Sequence, residues 1–235
     1  MYDVECPWSR DDDWFVARIE AAGAQDVLDF GCGSGRLAIG LAVRGLRVVG
    51  IDPARASIAQ AQAKDTDARV DFRVGTEADL PVDAFDAAVM TSHVAQFLVD
   101  DDAFARVLER LARSLRHGGS LFFDHRDPAD RIWARWNLVD SRRSHALPDG
   151  SRVDAWTEVI AIENERITFV HHYAFDDGVR LRSTSTLRFR TEAAIRGALD
   201  AAGFVVESID GGWGGEPVGA GDGEFLVSAR LREGM

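Results

Sequence analysis

Apolar residues in the first half of the chain fall in short runs that alternate with stretches of helical period. Asp26–Phe30, residues 46–51, Phe85–Met90 and residues 120–124 are near-continuous apolar runs, and residues 69–74 alternate. Runs of this length and composition read as strands of a buried sheet. Between them, Leu37, Ala38, Leu41 and Ala42 share one helical face, as do Phe104, Val107, Leu108, Leu111 and Leu115. Breakers mark the ends. Gly45 stands where a C′ glycine belongs, Pro53 suits the first turn of a helix running to about Lys64, and Gly118-Gly119 follows the Phe104 helix. Asp100 to Asp102 cap that helix. Asp11 or Asp12 caps an earlier one that carries Trp14, Phe15, Ala17 and Ile19 to Gly23. Regular strand–helix alternation of this kind predicts an α/β fold with right-handed parallel crossovers.

The alternation stops after residue 128. A polar stretch containing Trp133 and Trp136 ends in the turn signal Pro148-Asp149-Gly150. Strand-like runs follow at 152–162, 166–175 and 179–190, the second pair joined by the hairpin signal Asp176-Asp177-Gly178. These predict an inserted antiparallel meander. A helix capped by Thr191 and two strands, residues 204–209 and Glu224–Leu231, complete the chain, with a glycine-rich loop, residues 211–217, between the strands.

The run from Val27 to Arg36 carries the first chemistry. A strand meets glycines at Gly31, Gly33 and Gly35, and a helix starts at once, which brings backbone N–H groups and a helix N-terminus to a ligand. A dinucleotide fingerprint needs its third glycine at position six, and Arg36 stands there. Asp29 precedes Gly31 by two residues. Asp52, at the tip of the second strand, is placed to accept both hydroxyls of a ribose.

Acid-x-Gly-x-Gly-x-Gly, with Asp52 behind it, resembles motif I of the class I S-adenosylmethionine (SAM)-dependent methyltransferases of small-molecule type. The resemblance spans residues 24–128 and, less closely, 188–232. It implies a doubly wound, seven-stranded, mostly parallel sheet with an antiparallel last strand, plus the β-meander inserted after strand five. The expected organisation is a lid segment at 1–23, a cofactor core at 24–128 and 188–235, and an acceptor-site roof at 129–187. The turn of Gly31, Cys32, Gly33 and Gly35 would abut the methionine part of the cofactor, Asp29 would hold its amino group, and Asp52 with Pro53 its ribose. Where the family places an adenine-contacting Asp, this chain has Thr76. The Thr76–Glu77 pair is the expected replacement, with Asp79 or backbone alone as alternatives. Met90 and Thr91, at the end of a motif IV-like strand, would lie beside the transferable methyl group. The product would be S-adenosylhomocysteine.

Acceptor-side candidates follow from position. His93 is either a general base or a pocket-wall or capping residue. His125 and Arg126, at the tip of strand five, suit an acceptor carboxylate or phosphate, although Arg126 can equally pair with Asp127 or Asp130. Trp8 is either a lid residue or a hydrophobic anchor. Tyr173 lies in the meander, where only one of the adjacent His171 and His172 can face the pocket. Trp213 is either a rim residue or a packing one.

Charge and cysteine content narrow the partners. Net charge is −12, Lys64 is the only lysine and no basic run appears, which disfavours nucleic acid and suits a neutral or cationic small acceptor. Cys6 and Cys32, with no ligand cluster beside them, predict free thiols and no metal site. No apolar run is long enough for a membrane span, and residues 1–13 lack the order of a signal peptide, so the expectation is a cytoplasmic monomer or homodimer. Methyl transfer from SAM to a small molecule is the leading reading. A non-catalytic SAM-binding protein and an NAD(P)-dependent oxidoreductase are the alternatives.

Calorimetry should show saturable binding of SAM and S-adenosylhomocysteine but not of NAD. Asp52→Ala should weaken SAM by about tenfold or more, as expected for losing hydrogen bonds to a charged group.

Overall fold

The computed structural model describes residues 2–147 and 149–233. The elements in chain order begin α1 (Tyr2–Glu5), α2 (Arg10–Ala21), β1 (Asp26–Phe30), α3 (Arg36–Val43), β2 (Arg47–Asp52), α4 (Arg55–Lys64), β3 (Val70–Val74) and β4 (Phe85–Met90). They continue α5 (Val94–Phe97), α6 (Asp101–Ser114), β5 (Leu115–Arg126), α7 (Leu138–Ser141), β6 (Arg143–Ala146), β7 (Arg152–Glu163), β8 (Arg166–Phe175) and β9 (Arg180–Arg188). The last three are α8 (Glu192–Ala201), β10 (Phe204–Asp210) and β11 (Glu224–Leu231). Seven strands form the main sheet in the order β10-β11-β5-β4-β1-β2-β3. β3, β2, β1, β4 and β5 are parallel, while β11 runs antiparallel to both β5 and β10. The C-terminal tips of β4 and β5 therefore share an edge with the first residue of β11, Glu224.

Two apolar layers sandwich this sheet. On one face, α6 and α8 pack Phe104, Leu108, Leu111, Ile195 and Leu199 against Phe123 and Leu121. On the other, α2, α3 and α4 supply Phe15, Ile19, Leu37, Leu41 and Ile58 against Val27, Val89 and Phe122. Alternate β5 residues thus feed opposite layers, as the pleat requires.

Several predicted boundaries move for local reasons. Ser9, not Asp11 or Asp12, is the N-cap of α2, and its backbone N–H donates to the Asp12 carboxylate at 3.0 Å. Pro53 precedes the N-cap Ala54 rather than opening α4. Gly118-Gly119 does not end α6. β5 begins at Leu115, directly after the helix, because Leu115 pairs with Phe85 of β4 and draws both glycines into the strand.

The inserted region forms a separate sheet in the order β6-β7-β8-β9. The meander of β7, β8 and β9 matches the hydrophobic pattern, while the short and largely polar β6 carries no such pattern. Ile167, Leu187 and Phe189 form its own small core, with Trp133 and Trp136 packed against them. Among the described residues no helix is long and apolar enough to cross a membrane.

Phe123 is fully buried and meets the Phe104 ring edge-on at 6.4 Å. Phe123→Ala should lower unfolding stability by about 3–5 kcal/mol in urea titration.

Candidate active site

The carboxyl edge of the main sheet holds a cavity of about 640 Å³, a normal size for a small-molecule site. Its floor is the turn between β1 and α3. Gly31, Gly33 and Gly35 all have positive φ, at 78°, 53° and 80°. A Cβ on Gly31 would stand 2.6 Å from Val94, and one on Gly35 would stand 2.6 Å from the Phe72 ring, so neither tolerates a side chain. At Gly33 a Cβ would meet only open space, which leaves its backbone bare toward the cavity.

Asp52 also lines the cavity. Its Oδ2 accepts the Gly33 N–H at 3.0 Å and its Oδ1 the Ala54 N–H at 2.8 Å, so the carboxylate is fixed against the glycine turn. Thr76 and Glu77 form part of the wall. Asp79 is engaged elsewhere. It accepts the Thr76 N–H at 2.9 Å and closes a capping box on the short 3₁₀ turn Glu77–Asp79. Cys32, Pro53 and Thr91 line the cavity as well, together with Phe97 and Leu98, an apolar flank that the sequence pattern did not reveal.

Asp29 lies behind the turn and is 1% exposed. Its Oδ1 has no hydrogen-bond partner, and burial, the largest influence, raises its pKa from 3.8 to about 7. A buried carboxylate with an orphaned oxygen calls for a cationic partner. The orphaned acid, the bare glycine backbone and the fixed Asp52 fit the amino, methionine and ribose parts of SAM. Met90 departs from expectation: it is fully buried in the core under α6 and only Thr91, one residue on, reaches the wall.

Past Thr91 the chain makes a tight turn, with Ser92 and His93 both left-handed (φ 55° and 63°). Two successive non-glycine residues in this region are costly and need external support. The buried Asp124 carboxylate supplies it by accepting the His93 N–H at 3.0 and 3.1 Å. The turn sends Ser92 into the cofactor cavity and the His93 ring the other way. His93 Nε2 meets the Glu224 carboxylate at 3.0–3.1 Å and Asp124 Oδ2 at 3.3 Å. Burial, the largest influence on each, pushes His93 down from 6.5 to about 4 and Glu224 up to about 7, so Glu224 is the member of the pair that takes up a proton near neutral pH. Asp124 is also raised by burial. Neither acid stood out in the sequence, because the order that places β11 beside β5 is not a local signal.

The N-terminal segment closes over this edge. Arg36 donates to the carbonyls of Cys6 and Pro7 at 3.2 and 3.0 Å and pairs with Asp11 and Asp12 at 2.7 and 3.1 Å. Glu5 receives the Tyr173 hydroxyl at 2.8 Å and meets His171 Nε2 at 3.1 Å. It is therefore His171, not His172, that faces inward with Tyr173. His172 stacks on Trp156 at 4.7 Å on the opposite face of the sheet.

His125 departs from expectation, and Trp8 and Trp213 take the packing roles rather than the acceptor-side ones. His125 is fully buried, stacks on Phe225, meets Phe189 edge-on and accepts the Arg190 N–H, so it has no surface for a ligand. Its side chain follows the pleat into the face opposite Asp124. Trp213 packs against Trp14 and Phe15. Trp8 lies over Gly40 beneath the Arg44 guanidinium and donates to Asp13, so it anchors the segment to α3 instead of touching the cavity.

Known proteins resemble this chain in sequence and in fold. The family described as a methyltransferase domain matches residues 27–119. A cypemycin N-terminal methyltransferase from Streptomyces sp is 30% identical over 204 residues, 86% of this chain and 81% of that protein. A ubiquinone biosynthesis O-methyltransferase from Chromobacterium violaceum is 33% identical over 114 residues, 46% of this chain and 47% of that protein. Among solved structures, a sugar N-methyltransferase from Streptoalloteichus sp superposes with a TM-score of 0.77 at 22% identity, covering 98% of this chain and 90% of that one. The chain belongs to the class I SAM-dependent methyltransferases. Its cofactor is SAM, and it is an enzyme rather than the oxidoreductase or non-catalytic binder weighed as alternatives.

The fold prefers Asp29 protonated. Its contribution to stability is therefore complete below pH 3.8 and lost as pH rises through about 7. Asp29→Asn removes that loss, so the substituted apoprotein should gain stability relative to wild type between about pH 4 and pH 8, measured by urea titration across pH.

Proposed function

We propose that the enzyme methylates an amine nitrogen of a small-molecule acceptor held between the tips of β4, β5 and β11, the N-terminal segment and the inserted sheet. In this reading residues 1–23 act as the lid and 129–187 as the roof around a core of 24–128 and 188–235. The observation that carries it is the turn after β4. Ser92 lines the cofactor cavity, and the next residue, His93, enters a cluster with Asp124 and Glu224. Such a cluster suits a group that arrives neutral, becomes cationic on methylation and must shed a proton.

Bound SAM supplies a sulfonium methyl that an amine lone pair displaces in line, the C–S bond breaking to leave S-adenosylhomocysteine. The chain's own part is orientation, charge stabilisation and proton removal. Asp124 and Glu224 stabilise positive charge growing on nitrogen, and the proton passes to the His93–Glu224 pair across the Nε2–carboxylate contact. Arg126 stands opposite Glu224 in the β5–β11 ladder, and Tyr173 donates to Glu5 of the N-terminal segment.

The extent of the relationships also favours nitrogen. The O-methyltransferase likeness spans about half of each chain, whereas that to the N-terminal amine methyltransferase spans 86% of this chain. A small acceptor rather than a nucleic acid agrees with the acidic charge, and unpaired Cys6 and Cys32 agree with a cytoplasmic setting.

A panel of small amines and alcohols, followed by release of S-adenosylhomocysteine and mass analysis of the product, tests the reading. Turnover of amines is expected, and turnover of alcohols alone refutes it. His93→Ala and Glu224→Gln should each lower kcat by about 10²–10⁴-fold while SAM affinity is kept. Changes of only a few-fold would remove the pair from the mechanism.

A further inference from the structure

Arg126 is placed in the cluster but is not consumed by it. It stands directly opposite Glu224 in the β5–β11 ladder, where an ion pair across the strands is the ordinary outcome. Glu224 turns instead to His93. Arg126 makes one hydrogen bond, from Nη1 to the Gln96 side-chain oxygen at 3.0 Å, and lies 5.6 Å from the centre of the Trp136 ring. Gln96 is itself fully buried and its amide nitrogen donates to the Arg188 carbonyl at 3.4 Å, which holds its oxygen toward Arg126. Among the described residues no carboxylate lies within ion-pair distance of Arg126, and its Nε and Nη2 have no protein acceptor.

Two other arginines show what saturation looks like in this protein. Arg190, 2% exposed, is met by Asp101 and by the carbonyls of Ala95, Leu98 and Asp100. Arg36 has two carboxylates and two carbonyls. Arg126 has a neutral amide and a ring face. A largely desolvated guanidinium is costly without an anion in contact, and the edge left open here, Nε with Nη2, is the fork that takes a planar carboxylate in two parallel bonds.

Resting on the amine reading above, we propose that Arg126 is the anion-binding half of the acceptor site and that the acceptor is an amino carboxylate. The acids around His93 face its nitrogen, and the open edge of Arg126 takes its carboxylate. The acceptor reacts with its amine neutral, so that its lone pair is free, and its single carboxylate charge is matched by Arg126. A phosphate, with up to two negative charges, would sit beside Asp124 and Glu224 and with Glu5 and Asp11 on the covering segment, which selects against it. Trp136 forms one wall of the anion subsite, so the inserted region contributes to this selectivity.

Matched acceptor series test the assignment. A set of amino acids with side chains of increasing size is offered in four forms: free carboxylate, carboxamide, decarboxylated amine and aminophosphonate. Release of S-adenosylhomocysteine is followed for each. The free carboxylates should exceed the other three forms in kcat/KM by about 100-fold, as expected for a charged bidentate pair. Arg126→Gln should abolish that preference, mainly through KM, with SAM affinity unchanged by calorimetry. Arg126→Lys should recover part of it, since a point charge replaces the fork. Carboxamides or simple amines used as well as the carboxylates would overturn the proposal while leaving the amine reading intact. A preference for phosphonates would overturn the carboxylate assignment. An Arg126→Gln protein equally impaired on every form, with a lowered melting temperature, would assign Arg126 a structural role. Methylation of alcohols with no amine turned over in any form would refute the amine reading itself.

Discussion

Two amides of the glycine turn, Gly31 and Cys32, converge on the single carbonyl of Ile51, at 2.8 and 3.1 Å. This three-centre contact ties the β1–α3 turn to the end of β2, and the rest of the site depends on it. It brings Gly33 within reach of Asp52 and seals Asp29 behind the turn. It also points the first residue of α3, Arg36, back across the edge of the sheet. The contact is available because parallel strands all end at one edge, with each crossover helix starting beyond it. Glycine is required where the turn presses on Val94 and Phe72.

Burial of charge is the second theme of this edge. Asp29, Asp12 and Glu224 have raised pKa values and His93 a lowered one, each chiefly through desolvation. A fold selected for stability alone would avoid such groups. Asp29, His93 and Glu224 lie at the ends of β1, β4 and β11, and Asp12 of α2 joins them through Arg36; the grouping suits a cationic cofactor on one side of the Ser92–His93 turn and agrees with the acceptor site proposed on the other.

Arg36 shows how one residue carries two kinds of information. At the sixth position of the glycine run it argues against a dinucleotide, which is a local fact of spacing. In the fold it gathers Asp11, Asp12 and two carbonyls of the N-terminal segment, so the wall of the cofactor cavity and that segment are mechanically joined. Glu5 extends the same cover to the inserted sheet through His171 and Tyr173.

The cofactor half was legible from sequence because its determinants are local: three glycines at alternate positions, an acid two residues before them, an acid at the next strand tip, and helical periodicity between. The proposed acceptor half was not, since it is assembled from elements more than a hundred residues apart. Glu224 meets His93 only because β11 enters the sheet antiparallel beside β5, a matter of strand order that no local pattern encodes. His125 and Arg126, adjacent in sequence and alike as candidates, were separated by the pleat, one into the apolar layer with Phe225 and the other toward Gln96 and Trp136. The chain's periodicity and glycine spacing were enough to specify an α/β domain and its cofactor. Which strand-tip side chains share the space beyond that cofactor was decided by sheet order, side-chain alternation and the packing of the N-terminal cover, since each is a property of long-range pairing rather than of neighbouring residues.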